Sequence, residues 1–145
     1  MSANRSVAQG GDPVITTAEE FVRLRESDKL EEYQRAAHEE APVEVWQDVI
    51  SRYPHMRTWV AHNKTVPIEV LEVLAKDSDP AVRSMVAMKR RLTTALQLLL
   101  AADPDEGVRE RLANNAKAIR AALKKIAEGV PGPAAETATR RLERR

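Results

Sequence analysis

The sequence predicts an all-α protein built from short two-helix repeats, and three observations carry that prediction. Aromatic residues make up only 3% of the chain, against 43% hydrophobic and 31% charged, so the core must be assembled from Leu, Val, Ile and Ala, a balance that favours helices. The chain resembles itself at a spacing of about 26 residues: Arg57, Arg83 and Arg109 fall into register, as do Ala61, Ala87 and Ala113, Leu74, Leu100 and Ile126, and Ala75, Ala101 and Ala127. A fixed period of this length marks a repeat architecture. Finally, the pairs Asp77/Asp79 and Asp103/Asp105 recur just ahead of each V-R-x-x-V/L-A segment, where Asp79 or Asp105 can cap a helix by accepting from its free amides.

Each element follows in chain order. Residues 1–15 carry no periodicity and are predicted to be a flexible N-terminal segment. Thr17-x-x-Glu20 reads as a capping box opening a helix with Phe21 and Leu24 on one face, and Ser27 can cap a second helix through Leu30, Tyr33 and Ala37. Residues 16–32 are therefore expected to form an N-terminal helical cap. Four repeats follow, near 33–55, 56–81, 82–107 and 108–128, the first being weakest and aligned through Ala37 over Ala61, Pro42 over Pro67 and Trp46 over Leu71. Within a repeat the second helix starts near Pro67 or Thr93 and carries Ile68, Leu71, Leu74 and Ala75, or Leu96, Leu99 and Leu100, at spacings of three and four that make one apolar stripe. Helices of about ten residues are unstable alone, so each must be held by its neighbours. The GVPGP stretch at 129–133 ends the helical-repeat domain of 16–128 and leaves 129–145 as a basic tail, either disordered or a short helix.

The motif V-R-x-x-V-A-x-N, a turn, then L-x-x-L-A-x-D-x-D, resembles the bacterial leucine-rich repeat variant and related HEAT-like helical repeats. It is carried by Val82-Arg83, Val86-Ala87, Leu99-Leu100-Ala101, Asp103 and Asp105, with Asn63 and Asn115 at the turn; Lys89-Arg90-Arg91 departs from the family's Asn-Pro turn. The resemblance implies a right-handed α-solenoid with a concave binding face. It says little about activity. Some members of the leucine-rich repeat variant family carry a Cys-ligated iron–sulfur cluster, which a chain with no cysteine cannot hold.

The absence of cysteine also excludes disulfides and thiol catalysis. No apolar run approaches a membrane span and MSANRSVAQGGDP lacks the apolar run of a secretory signal, so a cytoplasmic protein without membrane contact is expected. Net charge is +1, but residues 17–50 hold ten acids and four bases, whereas 108–145 hold ten bases and four acids. Such polarity can steer a charged partner or bring copies together weakly, and a monomer or weak homo-oligomer is expected. There is no glycine-rich phosphate loop, G-x-S-x-G elbow or H-E-x-x-H, and the only compact group, His38 with Glu39 and Glu40, lies in an acidic run. His38 and His62 hold equivalent places in adjacent repeats, too far apart for one ion. Neither catalysis nor a cofactor is expected.

The residues left over by the folding pattern are the candidates for binding. The partner-binding set is Trp59, Tyr53, Arg52, His62, Asn63, Lys64, Lys89, Arg90 and Arg91. Trp, Tyr and Arg are the commonest anchors at protein interfaces, and Trp59 is favoured over Trp46, which replaces a core leucine. The three repeated arginines are expected to bond the Asp pairs and join repeats. These features predict a non-catalytic helical-repeat scaffold that binds another protein, for example as an immunity protein neutralising a toxin or as an adaptor. The alternative is a nucleic-acid-binding HEAT-like repeat that applies Lys64, Lys89, Arg90, Arg91 and the basic tail to phosphates.

Overall fold

The computed structural model describes residues 14–144, and it is all-α. The chain divides into two compact units, Met1–Val70 and Leu71–Arg145. No described helix is long and apolar enough to cross a membrane.

The first unit holds α1 (Ala18–Glu26), α2 (Leu30–His38), α3 (Val43–Arg52), a 3-10 turn (Pro54–Met56) and α4 (Arg57–His62); α5 (Ile68–Leu74) crosses the boundary. Thr17 caps α1 as the sequence predicts, its hydroxyl accepting from the Glu20 amide at 3.0 Å. The return half of the capping box is displaced by one residue, because the Glu20 carboxylate accepts from the Thr16 amide. Ser27 does not cap α2. It accepts from the Lys29 amide two residues on, and Lys29 occupies the cap position with no side-chain bond. α1 packs on α2 and α3, burying Phe21 and Leu24 from α1 with Trp46 and Val49 from α3. Phe21 and Trp46 meet edge to face with ring centroids 5.2 Å apart, a geometry that favours aromatic pairs beyond their buried area. The flexible segment expected over 1–15 falls on residues outside those described except for its last two. Ile15 is fully buried and its amide donates to the Glu40 carbonyl at 2.8 Å, so the chain is already fastened at the last residue of the segment expected to be flexible.

The second unit holds α6 (Pro80–Ala87), α7 (Thr94–Ala101), α8 (Glu106–Ala113), α9 (Arg120–Glu128) and α10 (Pro133–Glu143). The predicted starts of α6, α7 and α8 are each sealed by a side chain: Asp79 accepts from the Ala81 amide, Thr93 from Leu96 and Asp105 from Val108. Caps of this kind stabilise a helix by about 1 kcal/mol. α6 packs on α8, α7 on α8 and α9, and α10 on both α8 and α9. Leu100, Leu112, Leu123 and Ile126 form the interior, none more than 1% exposed.

Of the two alternatives the sequence leaves for 129–145, the described chain takes the helix. α10 sits against α8 and α9 through Ala134, Ala135, Thr137 and Ala138, side chains small enough to admit close approach. It begins at Gly132, whose φ of 148° lies where only glycine rests without strain. The Glu106 carboxylate of α8 accepts from the Ala134 amide at 2.7 Å, doing for α10 what a local cap does elsewhere.

Candidate functional site

In the first unit the predicted candidates divide into two groups. Trp59 is half-buried rather than open. The guanidinium carbon of Arg25 lies 3.4 Å from its ring centroid and 4.6 Å from that of Tyr33, so Arg25 is shared between rings from α2 and α4. The His62 ring meets Trp59 edge-on at 5.7 Å. A partner using Trp59 as an anchor would have to displace Arg25 to reach the ring face that Arg25 covers. Neither Arg25 nor Tyr33 was legible as its partner, because they meet it only through tertiary packing and share no short sequence spacing with it.

Arg52 and Tyr53 form the second group, at the end of α3. Arg52 donates to both Asp48 oxygens at 2.7 and 2.9 Å and to Glu19 of α1 at 2.6 Å, and its guanidinium lies 5.2 Å from the Tyr53 ring centroid. Hydrogen bonds from Arg52 hold Asp48 and Glu19 below their ordinary carboxylate range, and the two acids in turn raise Arg52. Arg52 is thus neutralised within its own unit, which weakens its claim as a contact for an acidic partner.

Asn63 leaves the binding set. It is fully buried, and its side-chain amide donates to the Ala36 carbonyl at 2.8 Å and the Glu39 carbonyl at 3.0 Å, while its oxygen accepts from the Thr65 amide. These bonds fasten the end of α4 to the end of α2. Lys64 beside it is exposed, with its backbone amide on the Ala37 carbonyl.

The second unit contains the same device. Asn115 donates to the carbonyls of Ala87 at 2.8 Å and Lys89 at 2.7 Å, and Arg141 donates to those of Ala113 at 2.8 Å and Asn115 at 2.7 Å. The ends of α6, α8 and α10 are thereby held in series. Lys89 is half-exposed, its carbonyl engaged by Asn115, while Arg90 and Arg91 stand exposed on the connection after α6. Lys117 is exposed on the connection after α8, which Gln97 fixes by donating to the Lys117 carbonyl and accepting from the Ile119 amide.

The repeated arginines act structurally, with partners partly different from those predicted. Arg83 reaches the Asp77 backbone carbonyl, not its carboxylate, and forms a two-pronged pair with Asp103 at 2.8 and 3.1 Å. Asp103 lies one repeat further on. Arg109 donates to the Asp103 carbonyl and pairs with Glu106. Arg57 donates to the Ile50 carbonyl. Arg83 and Arg109 thus tie down the turn ahead of their own helices, Arg57 reaches back to α3, and Arg83 additionally joins α6 to the start of α8.

A surface that sequence reasoning missed lies on α7 and α9. In α7 the buried residues are Leu96, Gln97, Leu100 and Ala101; in α9 they are Ala122, Leu123 and Ile126. The residues on the other side, Ala95 and Leu99 from α7 with Ala102 just past its end, and Ala121, Lys124, Lys125 and Glu128 from α9, are exposed. Leu99 is 42% exposed although the apolar spacing assigns it to the core stripe. The signal was present in the repeat alignment, which sets Leu99 over Lys125, a position where charge is tolerated. No group of three or more His, Cys, Asp or Glu that could hold a metal occurs among the described residues. No family model matches the chain, and neither does any curated protein or solved structure.

Proposed function

We propose that the chain is a right-handed α-solenoid with a period of about 26 residues, acting without catalysis as a scaffold that binds another protein. The observation that carries the reading is the series of tethers at the helix ends. Asn63, Asn115 and Arg141 stand at multiples of that period and make equivalent bonds to carbonyls at the end of an earlier first helix. Such bonds satisfy backbone acceptors that a helix end otherwise leaves open. They also fix the connections carrying Arg90, Arg91 and Lys117, so that a partner would meet groups already in place and little ordering entropy would be lost. Burial recurs at the same period, with Leu74, Leu100 and Ile126 all inside, as expected of stacked units that share one core.

Affinity capture with the full chain, at low and high salt and with nuclease, tests this. The expected result is a protein retained after nuclease treatment and elevated salt. Recovery of nucleic acid alone, lost as salt rises, would replace the reading with phosphate binding through Arg90 and Arg91.

A further inference from the structure

We propose that the exposed face of α7 and α9 docks an acidic amphipathic segment of the protein partner, a reading that rests on the binding-scaffold function above. α7 and α9 pack side by side in the second unit. Their buried residues, Leu96 and Leu100 on one and Ala122 and Ile126 on the other, hold equivalent places, so their exposed residues share the opposite side. That side has two stripes. α7 offers Ala95 and Leu99, with Ala102 just past its end, and no charge; α9 offers Ala121, Lys124, Lys125 and, at the place equivalent to Ala102, Glu128.

α9 carries three cations, Arg120, Lys124 and Lys125, against one acid. Arg120, Lys124 and Lys125 are exposed and form no ion pair among the described residues, whereas Arg83 and Arg109 nearby in sequence are paired. Glu128 is the single acid on this helix, one turn beyond Lys124 and Lys125, so an excess of positive charge remains. Arg120 occupies the first turn of α9, the positive end of the helix dipole, where a cation is unfavourable, and that turn has no acid. An anionic partner would relieve this arrangement; nothing in the folding of the unit requires it.

The two stripes together choose the partner. Cations alone would suit any polyanion, but an uncharged strip of alanine flanking a half-exposed leucine suits apolar side chains and offers a phosphate backbone nothing. The shallow alanines leave room for a helix to lie close, with its own leucines against Leu99 and its carboxylates toward Lys124 and Lys125. This is recognition of an amphipathic helix by an apolar face with charges at its rim.

The test is a titration of the isotope-labelled full chain, followed by amide NMR, with a synthetic helical peptide of leucine at alternating third and fourth positions and glutamate elsewhere. A peptide of equal charge with serine for leucine and a single-stranded oligonucleotide are the controls. The expected result is shift changes confined to α7 and α9, with affinity weakened about tenfold by Leu99→Ser and by the double reversal Lys124→Glu, Lys125→Glu. All three positions are exposed, so unchanged circular-dichroism melting is expected of the variants. No binding of the leucine peptide, or equal binding of the serine peptide or the oligonucleotide, would overturn the proposal. Shifts at Arg90 and Arg91 instead would overturn this face while leaving the scaffold reading standing. Self-association of the free chain that Leu99→Ser abolishes would make the face a contact between copies and overturn the acidic partner. Capture of a native protein that Leu99→Ser does not weaken would separate the two readings in the same way.

Discussion

Asn115 shows how much one side chain can hold when its bonds are all internal. Its amide serves two carbonyls of the preceding connection, and its oxygen accepts from the Lys117 amide at 2.8 Å. Asn115→Ala is expected to leave buried acceptors unmet at a cost of about 1–3 kcal/mol, measured by urea unfolding. A cost below about 0.5 kcal/mol would show that water replaces the tether. Arg52 gives a pH-dependent case. Asp48 and Glu19 titrate below their ordinary values of 3.8 and 4.5 because Arg52 bonds their ionised forms. A depressed carboxylate contributes stability above its unfolded pKa and loses it as pH falls through the folded value. The difference in melting temperature between the native chain and Arg52→Met should therefore be present at neutral pH, shrink below about pH 4.5, and vanish once both acids are protonated. A difference that persists unchanged at the acid end would assign the effect to packing of the arginine stem. Both groups were half legible: Asn115 stood at the turn of the repeat motif and Arg52 among the residues the folding pattern leaves over, but the Ala87 and Lys89 carbonyls and Glu19 belong to other parts of the chain, which spacing along the sequence does not locate.

At the scale of the element, local rules governed wherever a helix end is closed by its own turn. Asp79, Thr93 and Asp105 are read from sequence because the cap and its amide partner lie within three residues. Asp105→Ala is expected to lower stability by about 1 kcal/mol, while Asp105→Asn, which keeps the acceptor, should recover most of it. Equal loss in both variants would place the effect in the charge instead of the hydrogen bond. Local rules failed at α2 and α10. Ser27 has a competing amide two residues on and takes it, a common habit of serine outside helices. α10 lacks a capping residue of its own, and Glu106 on α8 provides one. The sequence therefore left a helix over 129–145 as one of two alternatives, and the role of Glu106 in closing its start could not be read from that stretch alone.

Across the molecule, the basic end is an integral part of the second unit. α10 covers α8 and α9 with four small side chains and turns Glu136, Thr139 and Arg140 outward. Ending the chain at Gly129 would expose the α8 and α9 surfaces beneath and free the carbonyls of Ala113 and Asn115. The truncated chain is expected to melt about 10 °C lower, the size of a loss of roughly 2 kcal/mol in a unit this small. An unchanged melting curve would show that α10 is an ornament to the fold. The amino-acid sequence by itself determined the all-α class, the starts of α6, α7 and α8 and the burial of Leu74, Leu96 and Leu100, because helix propensity, capping and apolar spacing act over a few residues. Tertiary structure alone decided that Arg25 covers Trp59, that Asn63 is a tether, that Arg83 reaches Asp103 and that Leu99 stays exposed beside unpaired lysines. Those outcomes depend on which helix lies against which, and a side chain's freedom to meet a partner is settled only when its neighbours have been placed.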